Sequence, residues 1–259
     1  MRAIILAGGK GTRLAPYTTV FPKPLVPVGD MPILEIVVRQ LRRVGVEHIT
    51  MAVGHLANLL MAFFGDGARF GLHIDYSLED TPLGTAGPLA LIDGLDNTFL
   101  VMNGDVLTTL DYAALVAYHR QRRAVATIAM HERQVKIDLG VIKVDETNRL
   151  VQYVEKPAFD YLVSMGVYVF EPAVLRYIER GARLDFPELI WKLLAADQLV
   201  AGYPYAGYWL DIGRPDDYAR AVEEFEAMRA QFLPDEPSPR EDRSTASPAA
   251  TTRTPREKP

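Results

Sequence analysis

The feature that most constrains this chain is a glycine-rich loop, LAGGKGTRL at residues 6–14, placed directly after a short apolar strand at 2–6 (RAIIL). Glycines let backbone N–H groups come close to an anion, so Leu6, Ala7, Gly8, Gly9, Gly11 and Thr12 are candidates for holding phosphate groups. Two familiar phosphate loops do not fit. The G-x-x-x-x-G-K-[ST] pattern is absent, and a G-x-G-x-x-G reading begun at Gly9 and Gly11 meets Leu14 at its third glycine. The second strand also ends without the acidic residue a ribose would need. A plain strand-to-helix turn with no ligand stays open on the glycines alone. Arg13, closing the loop, and Lys23, held between prolines in FPKPL, add two cations suited to a polyphosphate.

The rest of the chain alternates apolar runs with helix-period stretches. Strands are expected at 2–6, 48–53, 72–76, 98–102, 124–130, 140–144, 150–154, 164–170, 199–205 and 208–210. Helices are expected at 33–44, 56–64, from Thr85, and at 111–121, 172–179, 186–196 and 215–232. Alternation in the first half predicts an α/β fold with a mixed, mainly parallel sheet flanked by helices. The turn VDETNRL makes 140–144 and 150–154 a hairpin and gives the second half a smaller mixed-strand lobe. Residues 1–233 read as one domain. Residues 234–259 hold six of the 18 prolines and no Ile, Leu, Val, Met or aromatic residue, and are expected to form a disordered Pro/Ser/Thr-rich tail.

Composition narrows the chemistry. There is no cysteine, which removes disulfides, thiolate metal sites and a cysteine nucleophile together. The formal net charge is −5 and basic blocks are short, so neither nucleic acid nor membrane is an expected partner. The N-terminal apolar run is too short for a signal segment, and a cytoplasmic location is expected. The five histidines (His48, His55, His73, His119, His131) show no H-E-x-x-H spacing and read as structural, while Trp191, Leu193 and Leu194 read as core. Tyr203, Tyr205 and Tyr208 flank Asp211 and suit a pocket rim or packing equally.

Two carboxylates stand out. Asp105 follows the buried strand at 98–102, at the edge where open α/β sheets bind ligands, and Asp211 ends a short apolar run in YWLDIG. Each could be a turn or cap residue. Meeting across a cleft, they could instead hold one magnesium ion that also takes phosphate oxygens.

LAGGKGTRL, FPKPL, VGDMPILE, PLGTAGPL (82–89), MNGD (102–105), VEKP (154–157) and GYWLDIG (207–213) occur in an order that resembles the sugar-1-phosphate nucleotidylyltransferases, most of all the mannose-1-phosphate guanylyltransferase-like branch. The resemblance covers residues 1 to about 230. It implies a Rossmann-like nucleotide-binding half and a smaller mixed-strand sugar-binding lobe. It also implies an enzyme joining an NTP to a sugar 1-phosphate with release of pyrophosphate.

The resemblance assigns roles residue by residue. Arg13, Lys23 and Asp105 would be catalytic, and Asp105 and Asp211 would bind Mg2+. Glu155 would accept from sugar hydroxyls, Lys156 would pair with the sugar phosphate, and Gly140 would let the sugar approach. Ser164, in Ser164-Met165-Gly166, stands where many relatives carry Asn-Ala-Gly, a departure that bears on the sugar. Asn103, Gly84 and Thr85 would line the nucleotide, Thr85 near a helix N-terminus. Glu79 stands where several relatives carry a base-reading Gln. A carboxylate only accepts, which suits the two adjacent donors of guanine and makes GTP the favoured nucleotide. Two alternatives stay open: transfer onto a non-sugar phosphate such as a cyclitol phosphate, and a non-catalytic regulatory subunit that binds nucleotide sugars. The sequence leaves a homo-oligomer open.

Overall fold

The computed structural model describes residues 1–234, so the expected tail, except for its first residue, lies outside the described residues. In chain order the regular elements are β1 (Arg2–Leu6), β2 (Pro27–Val28), β3 (Met31–Pro32), α1 (Ile33–Arg43), β4 (His48–Val53), α2 (Ala57–Phe64), β5 (His73–Leu78), β6 (Phe99–Asn103) and β7 (Val106–Thr108). These are followed by α3 (Tyr112–Arg122), β8 (Ala126–Lys136), β9 (Val141–Val144), β10 (Leu150–Val154), β11 (Ala158–Phe170), α4 (Phe186–Ala195), β12 (Val200–Tyr205), β13 (Trp209–Asp211) and α5 (Pro215–Phe232).

Seven strands form one sheet in the order β12-β8-β11-β6-β1-β4-β5. β6, β1, β4 and β5 run parallel, and β11 runs antiparallel to both β6 and β8. The mixed, mainly parallel architecture read from the sequence is the one observed. β1 is buried through its middle because it lies between two neighbours, which explains a strand that is apolar on both faces. The chain winds outward from β1 to β4 and β5, then returns to add β6 on β1's other side. Such a reversal opens a crevice at the carboxyl ends of the strands.

Three apolar clusters hold this frame. The first packs β1, β4 and β6 against α1, α2 and α3, and the second packs the sheet's other face against α4 through Phe99, Tyr168, Phe170, Phe186 and Leu189. The third joins Ile33 and Ile36 of α1 to Leu14, Leu107, Leu210, Ile212 and Phe225. α1 therefore buries more than one stripe, because two cores claim opposite sides of it. α5 is pinned by Arg229, which donates to Asp30 at 2.6 Å, and by Tyr218, whose hydroxyl donates to the Pro27 carbonyl at 2.9 Å.

Several elements differ from expectation. β8 and β11 continue well beyond the sheet as an exposed two-stranded ribbon, pairing Lys136 with Ala158, beside the β9–β10 hairpin. Instead of helices from Thr85 and at 172–179 there are short 3₁₀ turns at Gly87–Leu91 and Pro172–Tyr177. The first is tied down by tertiary contact, since the Ala86 and Gly87 amides both donate to the Leu184 carbonyl. On α4, Leu193 is core as expected, but Trp191 is 67% and Leu194 55% exposed, since they face away from the sheet.

Phe170 is fully buried, with the rings of Phe99, Tyr168 and Phe186 all within 6.0 Å. Phe170→Ala is expected to cost about 3–5 kcal/mol, read as a lowered urea midpoint with an unchanged slope.

Candidate functional site

A cavity of about 740 Å³ opens at the carboxyl ends of β1, β4, β5 and β6. Its lining includes Leu6, Ala7, Gly8, Gly9, Gly11, Thr12, Arg13, Lys23, Glu79, Gly84, Thr85, Asn103 and Asp105. The sequence-derived nucleotide set is thus brought together whole, along with Lys10, Gly54, Asp80 and Gly213, which the sequence reading did not single out, and His55, which it took as structural. Lys10 sits inside the glycine loop and could have been counted as a third cation. Gly54 and His55 follow β4, so the strand-end rule that marked Asp105 also points to them. His55 belongs to the cavity wall and not only to the scaffold.

Two short strands build the charged floor. β6 ends at Asn103, and the chain turns through Gly104 and Asp105 into β7, which pairs antiparallel with β13 so that Val106 faces Asp211. The Ile212 amide donates to the Asp105 carbonyl at 3.2 Å. Leu107, Leu210, Ile212 and Leu14 anchor this corner in the third core, each next to or near a charged residue of the site. Lys23 is 8% exposed and donates from Nζ to Asp105 Oδ2. Gly11 makes room for this pair: its φ is +63°, and a Cβ there would lie 3.1 Å from the Lys23 Cβ. The Arg13 guanidinium passes beside Gly213, two residues beyond Asp211.

Electrostatics set the chemical character of the floor. Burial, and then the neighbouring Asp105, raise the Asp211 carboxyl above its ordinary value, against the pull of Lys23 and Arg13. Asp105 Oδ1 is buried and has no hydrogen-bond partner. An orphaned carboxylate oxygen beside a second, charge-frustrated carboxylate is an all-oxygen donor set, and it fits a hard divalent cation. Asp105 and Asp211 would be the residues holding it.

The opposite wall carries Glu79. Its Oε2 accepts from the Leu83 amide at 2.9 Å, and its Oε1 lies against the loop, where a Cβ on Gly8 would come within 2.9 Å of it. Burial raises its pKa, with the Leu83 bond acting the other way. Gly84 has φ +80°, and a Cβ there would meet the Leu184 carbonyl at 2.6 Å, so this wall closes on the α4 entrance only with glycine. Thr85 receives and gives hydrogen bonds there, from its amide to Asp185 Oδ1 at 3.0 Å and to its Oγ1 from the Phe186 amide at 2.8 Å. It precedes a 3₁₀ turn, not a helix N-terminus.

The four sugar-side residues fall outside the cavity lining. Gly140 lies under the Tyr153 ring, and the Tyr153 hydroxyl donates to Glu155 Oε2 at 2.9 Å on the exposed arm. Lys156 adopts a left-handed φ of +45°, so strict strand alternation does not set the directions of Glu155 and Lys156. The Ser164 hydroxyl donates to Tyr168 Oη at 3.1 Å and accepts from the Gly166 amide at 3.3 Å. Gly166, at φ +72°, abuts the amide of cavity-lining Asn103. Of the three tyrosines near Asp211, Tyr205 shares a hydrogen bond with Thr109 and Tyr208 donates to Glu224, so both serve packing.

The model for the family described as nucleotidyl transferase matches residues 2–227. The chain belongs to the nucleotidyl transferase family. Among relatives of this family, a mannose-1-phosphate guanylyltransferase of Mycobacterium tuberculosis is 36% identical over 225 residues, covering 84% of this chain and 62% of that protein. A UTP–glucose-1-phosphate uridylyltransferase of Synechocystis is 35% identical over 251 residues, covering 86% and 62%. The chain spans about 62% of the length of these curated relatives. Among solved structures, HddC from Yersinia pseudotuberculosis complexed with GMP-PN superposes with a TM-score of 0.66 at 25% identity, covering 86% of this chain and 99% of that one. No helix among the described residues is long and apolar enough to cross a membrane.

Because the Asp211 pKa is raised on folding, its ionised form opposes folding, and this penalty grows as pH rises through the ordinary and then the raised value. In chelator, Asp211→Asn is expected to raise the melting temperature near about pH 8 and to lose that advantage toward about pH 4. Paired thermal melts at the two pH values check it.

Proposed function

We propose that the chain transfers a nucleotidyl group from an NTP to a sugar 1-phosphate, releasing pyrophosphate. The observation that carries this reading is the convergence of a part-buried Lys23–Asp105 pair and Arg13 on one corner of a glycine-lined cavity, with Asp211 just behind the lining and within electrostatic reach of all three. A sugar-phosphate oxygen attacks the α-phosphorus in line. The new P–O bond forms as the bond to the bridging oxygen breaks, and pyrophosphate leaves with that electron pair. No covalent enzyme intermediate is needed, because the attacking phosphate is already a nucleophile. What the chain supplies is position and charge. Backbone amides of residues 8–12 cradle the triphosphate, Arg13 orients it and meets the charge on departing pyrophosphate, and Lys23 neutralises phosphate oxygens as the bond changes hands.

Mg2+ is the cation we assign to Asp105 and Asp211, where it would polarise the α-phosphate and offset transition-state charge. Lys156 anchors the incoming phosphate and Glu155 accepts from sugar hydroxyls. Both roles rest on the VEKP resemblance.

GTP is the nucleotide we favour. Support comes from the Glu79 carboxylate in the cavity wall: it accepts but cannot donate, so it suits the N1–H and 2-amino donors of guanine, whereas uracil and thymine offer one donor between two acceptors. The guanylyltransferase names among the relatives agree, and the uridylyltransferase among them makes the base a matter for experiment.

Pyrophosphate release with a panel of NTPs and sugar 1-phosphates tests the activity. Asp105→Ala is expected to abolish release while the far-UV circular dichroism stays native, and near-normal turnover in that variant would sink the proposal. Glu79→Gln is expected to lower kcat/KM for GTP at least about tenfold and to shift preference toward a pyrimidine nucleotide. An unchanged base preference would remove Glu79 from that role.

A further inference from the structure

The opposite end of the sheet carries a cluster the spacing of the sequence conceals. β4 and β5 are parallel neighbours in a register that sets His48 against His73 and Thr50 against Asp75. His73 and Asp75 are two apart on one strand and therefore share a face. The result is a compact set: each of His48, His73 and Asp75 offers a ligand atom, and all three atoms lie within 4.8 Å of one another. His48 Nε2 is 2.9 Å from Asp75 Oδ2, and the two imidazole rings lie 4.9 Å apart. Asp75 Oδ1 is buried without a hydrogen-bond partner.

We propose that His48, His73 and Asp75 form a binding site for a zinc-like transition-metal ion, separate from the nucleotide cavity. Two imidazoles and one carboxylate are three of the four ligands such an ion takes, with water as the fourth. A tetrahedral zinc with ligands at about 2.0–2.1 Å keeps them about 3.4 Å apart, so the site closes with side-chain adjustments of about 1 Å. Two imidazole donors disfavour magnesium, which takes oxygen, so the two metal sites of the molecule select different ions. Arg2 approaches Asp75 Oδ2 at 3.3 Å, yet its guanidinium is already held by Thr50 Oγ1 at 2.7 and 3.0 Å and by the Asp93 carbonyl at 2.7 Å. Arg2 and His48 thus share Oδ2, and the unpartnered Oδ1 is the acceptor left for an ion.

The site is built on strands, which hold ligands more rigidly than loops do. From His48 to the cavity end of β4 is six residues of extended chain, about 20 Å, so the ion is out of reach of the reacting phosphates. Its role is structural: β5 is an edge strand of the sheet, and the ion links it to β4. Unlike the activity assigned above, this inference needs no nucleotide.

The test is calorimetric titration of the tag-free, chelator-stripped chain with Zn2+, in excess Mg2+ to occupy the Asp105–Asp211 corner. One equivalent of zinc is expected to bind, with a raised melting temperature. Exposed His73 can be removed without disturbing the core, so His73→Ala should weaken zinc binding at least tenfold and abolish the thermal shift. Asp105→Asn should leave both intact. Zinc binding that survives His73→Ala unchanged, or a wild-type chain that takes up no zinc in magnesium, overturns the proposal, and neither result bears on pyrophosphate release.

Discussion

The structure turns on an apposition that is unfavourable in itself: two carboxylates, Asp105 and Asp211, held side by side in a half-buried corner. Burial withholds water from Asp211 and Asp105 repels it, and these two effects, in that order, raise its pKa. The fold imposes the arrangement through the β7–β13 pairing and through Leu107, Leu210 and Ile212, which bury the backbone on either side. Lys23 relieves part of the strain on Asp105. A divalent cation held by Asp105 and Asp211 would relieve the rest, and the stability this apposition costs would then return as affinity for the ion.

Much of the frame was readable in the sequence because its signals are local. β1, β4, β6, α1 and α5 each carry a complete apolar period, and the strand-to-loop transition at Leu6 announces the carboxyl edge where the cavity opens. The β9–β10 hairpin followed from its turn. The ribbon formed by the far halves of β8 and β11 was harder to see. Its residues are exposed and alternate irregularly, since no core selects one face. The stretch from Thr85 has helical composition, but the Ala86 and Gly87 amides are taken by the Leu184 carbonyl and the stretch forms a 3₁₀ turn. Trp191 misled for the opposite reason: a large aromatic residue suggests burial, and only the tertiary placement of α4 turns it outward.

The site was legible to different degrees. The glycine loop and the strand ends pointed to the cavity's edge, while Glu79, Gly84, Thr85 and Asn103 of its lining were picked out only by the family resemblance. Asp211 was marked by motif, but its partnership with Asp105 depends on a three-residue strand pairing across about a hundred residues, which no local pattern encodes. The histidine cluster is another such case. Its three side chains are brought together by the register between two parallel strands, so no spacing along the chain announces them.

The two walls of the cavity are mounted on different parts of the protein. The wall bearing Glu79 is fastened to the entrance of α4, through Leu184 and Asp185, on the second core. The charged corner is braced by the third core, under α5. Substitutions that reshape one wall need not be transmitted to the other, because separate packing units carry them. The cavity is thus assembled from two panels, one hung on the second core and one seated on the third, that can be altered one at a time.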